Sequence, residues 1–570
     1  MSLFSSLNLA RLSLAAHQSA IQTVGQNIAN STTEGYARQR VQFQPTPSND
    51  LVFARLGTGV RVDRIERVVD EHLEATLRGA RSDLGMLAER DRVLTLTGSI
   101  FNDLNGGGLS QAVGRFFDSL EDLSNTPEDP TARSQVLEEG QTLADTFRYI
   151  DDQLRTFRRN LDEDVVGVLR DVNRMIGEVA ALNTEIVAAE DGGIHPDTAS
   201  DLRTRRDALL GELSDIIDIK VIENSRGAVQ VLSGSDVLVF ESDAREIALE
   251  EYSDGDITYT AGRFVDDGKV FNPFGGRLAS LLEARDQLTV ELQGDLNTLA
   301  EAFLDEFNAI HTNGEGTARF TSVTATHAVV DRDESLATAG LPFAVEDGRF
   351  TIQVVSESDG VRDSYVFDLD LDGGSDDTSL VDLVDQINAA IATEHPEINA
   401  SITGDGFFKL DSSDPNLTFT FRDDDSGFLR AAGVNTFFTG TNASNIAVSE
   451  ALVSNVDYVT TGRGGGPGDN SAAQALLGFR DSGVVGEAAV SVEAYYSATI
   501  GRIGVEGAEA RDLLTNQQAI TEAVRGQREA LSGVSLDEEA IELIQYQRAY
   551  QGSARFLTVV DQLLDTLINI

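Results

Sequence analysis

Two long apolar stripes stand at opposite ends of this 570-residue chain, and neither can be buried by its own helix. Near the N-terminus Leu3, Leu7, Ala10, Leu14, His17, Ile21, Val24 and Ile28 recur at alternating steps of four and three, which sets them on one helical seam. Asn30, Ser31, Thr32 and Thr33 stop the pattern, so the expected rod is roughly 40 Å long at 1.5 Å per residue. Near the C-terminus Leu543, Tyr546, Tyr550, Ser553, Leu557, Val560, Leu564 and Leu567 repeat the design, and Phe556, Val559, Leu563 and Ile570 widen the face. Ser535 to Glu538 reads as a capping box that opens this last helix. Each stripe needs a partner, and the other stripe is the one of matching length. The expectation is a coiled-coil-like pair of terminal helices; the plainer alternative is two helices docked separately on the body. His17 reads as a packed seam residue, not as a ligand.

Charge removes several functional classes. The chain carries 94 acidic and 44 basic residues, a net −50, and only three of the basic residues are lysine. A surface of this sign repels nucleic-acid phosphate and anionic lipid, which are bound mainly through Lys and Arg. The acid is concentrated in residues 191–499, with 55 acidic and 19 basic side chains, whereas residues 1–190 carry −9 and residues 500–570 carry −5. Nearly neutral, apolar-striped ends suit subunit contact. Absence of cysteine excludes disulfides, thiolate metal sites and Cys nucleophiles. The first twenty residues lack a basic leader before an unbroken apolar run, so a secretory signal peptide is not expected. No window approaches 18 consecutive apolar residues, and no membrane insertion is expected.

Between the ends the periodicity alternates in blocks. Residues 1–44 form the N-terminal assembly helix with its loop, and residues 45–190 read as mostly helical, with a glycine-rich break at Asn105-Gly-Gly-Gly108. Residues 191–275 change to period two, through Ile217, Ile219 and Val221, Val229 and Val231, then Val237 and Val239, and read as a β-rich insert. Helix returns in 276–316, an outer β-rich insert fills 317–430, helix resumes in 431–534, and residues 535–570 are the C-terminal assembly helix. The order is nested: the same kinds of element recur in reverse. The expected fold class is multidomain α+β, with coiled-coil-like paired terminal helices, a helical-bundle body and β-rich inserted domains.

Catalytic constellations are missing from the pattern. His17, His72, His195, His311, His327 and His395 include no H-E-x-x-H and no close pair, which argues against a zinc hydrolase. Gly464-Gly-Gly466 with Pro467 and Gly468 lacks the Lys-Ser/Thr ending of a phosphate loop and reads as a mobile connection, with Asp469 and Asn470 capping the next helix. Asp368, Asp370 and Asp372, followed by Gly373, Asp376 and Asp377, resemble the opening of a calcium loop. Its twelfth position is Ser379, where a bidentate Glu is required, so an acidic strand end is the expected reading and calcium the alternative. Neither enzyme activity nor a cofactor is expected.

The stretch from Leu14 to Gln39, LAAHQSAIQTVGQNIANSTTEGYARQ, resembles the N-terminal signature of the bacterial flagellar rod, hook and hook-associated protein family: a helix ending in Asn27-Ile28-Ala29-Asn30, then Thr33, Gly35 and Tyr36. SGVSLDEEAIELIQYQRAYQGSARFLTVVDQLLDTL resembles that family's other end. Three internal stretches are similar to the branch that joins hook to filament. They are Asp201-Leu-Arg-Thr-Arg-Arg-Asp-Ala-Leu-Leu-Gly-Glu-Leu213; Gly276-Arg-Leu-Ala-Ser-Leu-Leu-Glu-Ala-Arg-Asp286 leading to Asn308 and His311; and Gly433-Val-Asn-Thr-Phe-Phe438 with Asn442-Ala443 and Pro467-Gly468-Asp469-Asn470. The resemblance covers roughly half of the chain, and the middle departs most.

The resemblance implies a structural, self-assembling protein with its terminal helices at the inner wall of a tube and its inserts outward. The implied interface is Leu3, Leu7, Leu14, Ile21, Val24, Ile28, Asn30, Gly35 and Tyr36 against Leu543, Tyr546, Tyr550, Leu557, Val560, Leu564 and Leu567. Implied partners are further copies of the chain, the flagellar hook protein, hook-associated protein 3, and a flagellar export chaperone with the type III export apparatus. The implied location is extracellular, at the junction of hook and filament. The alternative from another class is an acidic secreted adhesin or surface-binding module that uses the inserts.

Overall fold

The computed structural model describes residues 3–33, 35–47, 49–51, 54–101, 108–193, 198–254, 257–374, 376–466, 468–486 and 488–568. His195, Pro467, Ile570 and all but Gly108 of the expected glycine-rich break lie outside the described residues, as do the side chains of Leu3 and Leu567. The fold is mixed α+β, with long helices near both ends and antiparallel strands inserted between helical segments. The chain divides into two units of interleaved segments: residues 1–93, 159–286 and 507–570 form the first, and residues 94–158 and 287–506 the second.

In the first unit the N-terminal helix Leu3–Ala29 is followed by an antiparallel hairpin, Gln39–Pro45 with Val60–Arg67, in which Val41 pairs with Ile65. The second strand falls inside the segment expected to be mostly helical, whose helices begin at Glu71. The alternation in VRVDRIER is real, but Arg61, Asp63, Arg64 and Glu66 dilute it until it reads as a linker. Further along, helix Ser200–Ile216 leads into a four-stranded sheet from Lys220 to Ala244 and a hairpin of Ile247–Asp254 with Ile257–Phe264.

Buried arginines fasten these pieces. Arg203 reaches Glu190 at 2.8 Å and Glu223 at 2.7 Å, and Arg206 donates to Gly227 O at 2.7 Å and Glu223 at 2.9 Å. Arg285 joins Asp162 at 2.7 Å and Thr260 O at 2.6 Å. An arginine fork suits such sites because one side chain can satisfy a carboxylate and a carbonyl together. Gly276 permits the turn before its helix: its φ is +73°, and a Cβ there would stand 2.3 Å from Ile216 O.

The second unit has two cores. One is a phenylalanine cluster in which the Phe303 ring lies 5.9 Å from Phe147, 5.7 Å from Phe438 and 5.4 Å from Phe479. The helix expected from Leu278 to Ile310 starts in the first unit as Gly276–Glu283 and, past a π-turn at Ala284–Leu288, continues in the second as Thr289–Ala302 and Asn308–Thr312, which a second π-turn at Phe303–Phe307 separates. The second π-turn shifts the helical register so that Phe303, Leu304 and Phe307 are all buried. The other core fills the outer β-rich region between two three-stranded antiparallel sheets, with strand Gly348–Ser356 central in one and Phe407–Ser412 central in the other, and helix Leu380–Ile391 packed with them.

Several loop residues take up turn and capping roles. Ser379 caps helix Leu380–Ile391 in a reciprocal box with Asp382, so the twelfth position of the calcium-like loop is occupied by capping. Asp370, Asp372 and Asp377 converge, whereas Asp368 lies on the strand Arg362–Leu369. Asp469 accepts from Arg463 N at 2.7 Å, Gly465 N at 2.9 Å and Ser471 N at 3.0 Å, closing the glycine loop onto the helix start. Asn470 makes no side-chain cap and instead donates to Ser124 O at 2.8 Å.

Asn308 and His311 meet the stretch Gly433–Phe438. Asn308 Oδ1 accepts from Phe437 N and Phe438 N, and its amide donates to Phe438 O at 2.8 Å. His311 is fully buried, with Nδ1 2.8 Å from Asn435 O and Nε2 accepting from Thr460 N at 3.3 Å. That pair of contacts fits only the neutral ring, and burial pushes its pKa down to about 4. Below the ordinary histidine pKa of 6.5 the unfolded chain takes a proton that the folded unit refuses until about pH 4. Stability therefore falls as pH drops through this window, by about 3 kcal/mol at roughly 1.4 kcal/mol per pH unit. Thermal denaturation from pH 7 to 4 should show a steeper decline for wild type than for His311→Gln; equal slopes would contradict the assignment.

Candidate assembly site at the paired termini

The first and last helices, Leu3–Ala29 and Leu536–Ile568, pack along each other, and the Gln39–Pro45/Val60–Arg67 hairpin rests against the former. Close approach is made by small residues. Ala10, Ala16 and Ala20 are buried, and Ser13 Oγ lies 2.7 Å from Ser553 Oγ across the pair. Thr23, Val24 and Asn27 continue the buried stripe, with Val560 on the facing helix. Leu7, Leu14, Ile21 and Ile28 flank this line half-buried, as do Leu543, Tyr546, Leu557 and Leu564. Tyr550 is 37 % exposed, and Ala549 beside it is half-buried. At 3.6 residues per turn a straight helix drifts off a strict heptad, which moves the contact line from the large residues toward the alanines between them.

The polar end of this seam is a buried clasp. Asn27 Nδ2 donates to Gln39 O at 2.9 Å and to Glu539 Oε2 at 3.0 Å, while its Oδ1 accepts from Gln39 N and from the Tyr36 hydroxyl, each at 3.0 Å. Glu539 is fully buried, and Arg38 Nε stands 2.7 Å from its other oxygen. Arg38 also reaches Glu538 at 2.8 Å and Glu542 at 3.3 Å, and its backbone N–H donates to Ser532 O at 2.8 Å. The expected capping box is thus half made: Ser535 Oγ faces Glu538 N at 3.5 Å, but the Glu538 carboxylate turns to Arg38.

Ionisation in the clasp follows from its surroundings. Burial alone would lower the Arg38 pKa, but Glu539 and Glu542 outweigh burial and raise it. Burial, with Asp201 and Glu539 nearby, pushes the Tyr36 hydroxyl up to about 12, so it remains a donor to Asn27. Gly35 turns the chain at φ +78° and offers its carbonyl to Arg528 at 2.9 Å, and Asn30 donates to Gln26 O at 3.0 Å. His17 packs between Phe43 and Tyr546, with ring centroids 5.9 and 6.4 Å away, and burial lowers its pKa. Beside the clasp a recess of about 820 Å³ is lined by the loop around Gly35 and by Arg78, Arg81, Arg528 and Gly533. Arg81 pairs there with Asp215, and Arg528 with Glu74.

Asn27, Arg38 and Glu539 are absent from the interface expected on heptad spacing, because a heptad search rewards apolar residues. Their signal was a polar residue set at each end of an apolar seam, in the Asn27–Asn30 run and one turn into the last helix. The outward face of the last helix remains apolar: Ile541, Ile544, Phe556, Val559 and Leu563 are 41–57 % exposed. A stripe of this length on a surface marks an interaction site.

Removing Arg38 would leave the Glu539 carboxylate buried without its cation. Arg38→Ala should cost about 3–5 kcal/mol, and Val560→Asp should separate the helices. Both should reduce amide protection in residues 10–27, measured by hydrogen exchange, without altering the outer β-rich core. Unchanged protection in both variants would contradict the clasp.

Comparison with known proteins places these features in context. Residues 95–319 match a family profile described as the flagellar hook-associated protein FlgK helical domain, and residues 527–570 match the flagellar basal body rod FlgEFG protein C-terminal profile. Flagellar hook-associated protein 1 of Bacillus subtilis is 26 % identical over 580 aligned residues, covering 100 % of this chain and 98 % of that protein. The Salmonella typhimurium protein of the same name is 27 % identical, covering 99 % of each. The structure of the flagellar hook junction protein FlgK from Burkholderia pseudomallei has a TM-score of 0.51 at 14 % identity, covers 80 % of this chain and 100 % of its own, and bears on the fold alone.

Proposed function

Since the chain belongs to the bacterial flagellar rod, hook and hook-associated protein family, in its hook-associated protein 1 branch, we propose that it is the self-assembling structural element joining the flagellar hook to the filament. The role is structural, not enzymatic. The observation that carries it is the pairing of helices more than 500 residues apart in sequence, which fixes one rod with a packed inner seam and an uncovered apolar outer stripe. A rod of this kind stacks on its like: each large apolar side chain newly buried contributes roughly 1.5–3 kcal/mol, so five such residues on one face favour neighbours without any specific ligand. The interface extends through Leu7, Leu14, Ile21, Val24 and Ile28, through the turn at Asn30, Gly35 and Tyr36, and through Leu543, Tyr546, Tyr550, Leu557, Val560 and Leu564.

General partnership in flagellar assembly follows from the family. The finer partners are the hook protein below, hook-associated protein 3 above, and an export chaperone with the type III export apparatus during secretion, which gives an extracellular location at the hook–filament junction. The acidic outer region then faces water, where its charge costs little. The seven-segment domain plan, with assembly ends, helical body and inserts at 191–275 and 317–430, belongs to the same proposal.

Two deletions separate this role from adhesion. Removing residues 317–430 with a short Gly/Ser bridge closes a loop, and closure entropy grows slowly with length; some filament growth should persist. Removing residues 2–30 takes away half of the helix pair, and filaments should be absent. Filaments per cell and surface adhesion, measured for both deletions with immunoblots for the exported chain, decide the matter. Normal filaments without residues 2–30, or adhesion lost only with 317–430, would favour the adhesin.

A further inference from the structure

The outer β-rich region of the second unit brings together three metal-ligating side chains that no function above uses. Asp363 and Tyr365 lie two apart on strand Arg362–Leu369 and so share one face. Glu394 and His395 follow the end of helix Leu380–Ile391. The chain brings them into register: His395 N–H donates to Ile391 O at 2.8 Å, Ile398 N–H donates to His395 O at 3.1 Å, and His395 Nε2 sits 2.9 Å from Asp363 Oδ2. One ligand atom each from Asp363, Glu394 and His395 lies within 4.8 Å of the others. The His395 side chain is 17 % exposed and that of Asp363 40 %, so the cluster is anchored in the surface with an open side toward water.

We propose that Asp363, Glu394 and His395 bind a divalent transition-metal ion of the zinc class, which ties the end of the helix to the edge strand. Charge favours an ion over a simple ion pair. Two carboxylates converge here on one imidazole, and a divalent cation balances both. The donor set favours the zinc class over calcium, because one imidazole nitrogen with two carboxylate oxygens suits zinc, nickel, cobalt or manganese, and calcium takes six to eight oxygens. Water would complete the coordination, as in open three-ligand sites.

Tyr365 supplies the outer support such a site uses. Its hydroxyl donates to Glu394 Oε2 at 2.7 Å, and its ring meets His395 edge-on, with centroids 6.3 Å apart at 88°. This hydrogen bond fixes the direction of the Glu394 carboxylate. Outer-shell hydrogen bonds of this kind typically change metal affinity about 10- to 100-fold. The sequence offered only an adjacent Glu-His pair; the first ligand is 32 positions away from His395 and visible only in the fold.

The test is calorimetric titration of the full chain with Zn²⁺ alone, for wild type, His395→Gln, Glu394→Gln, Asp363→Asn and Tyr365→Phe. Wild type should bind one more equivalent than His395→Gln or Glu394→Gln, Zn²⁺ should raise its melting temperature, and Tyr365→Phe should bind at least ten-fold more weakly. Excess Ca²⁺ or Mg²⁺ should not compete. Equal stoichiometry and affinity in wild type and His395→Gln would overturn the site, as would displacement by equal Ca²⁺. Circular dichroism checks that each variant is folded; should His395→Gln fail this check, Asp363→Asn and Tyr365→Phe decide by the same criterion.

Discussion

One buried carboxylate governs how the two ends of this chain meet. Glu539 is out of contact with water, and its charge is tolerated because Arg38 and Asn27 converge on it from a segment five hundred residues earlier. A lone buried carboxylate would cost far more than an exposed one, so the last helix can lie in this register only when the loop after the first helix is in place. Asn27 in turn is held by both backbone groups of Gln39 and by the Tyr36 hydroxyl. The clasp sets register; the alanine and valine seam beyond it supplies adhesion. Register matters in a part that must stack, because a slip of one turn would move the outer apolar stripe by about 5.4 Å.

Much of this plan was legible in the sequence, and the reasons are specific. The heptads located both terminal helices, since an amphipathic period survives over eight positions. The switch from period 3.6 to period two located the β-rich regions, whereas the meeting of the 433–438 stretch with Asn308 and His311 became visible only in the fold. The hairpin at Gln39–Arg67 was hidden because its outward residues are charged and its strands are short. Ala10, Val24, Ser553 and Val560 of the expected seam lie on the contact line, whereas Ser13 was overlooked because apolar size was weighed above close approach. The clasp escaped because a search for apolar spacing passes over polar residues such as Asn27 and Glu539, and the approach of Asp363 to His395 is set by the fold and not by spacing.

Charge and architecture also agree. The acidic excess lies mainly in residues 191–499, where carboxylates are solvated or held by arginine, as with Glu223, Asp286 and Glu315. The terminal helices carry little net charge, and the last one exposes Ile541, Ile544, Phe556, Val559 and Leu563. A repulsive middle with adhesive ends directs association to the ends, which is the polarity that a stacked axial part requires.

The central claim is that the two ends pair within one chain in the assembled state. The chain contains no cysteine, so a Ser13→Cys/Ser553→Cys double variant carries a clean probe at two hydroxyls 2.7 Å apart. Flagella from cells expressing this variant can be oxidised, denatured without reductant and separated by size. The account predicts a cross-link inside a single chain, running as a monomer, in filament-bearing cells. A cross-link that joins two chains, or none at all in flagella that assemble normally, would contradict it.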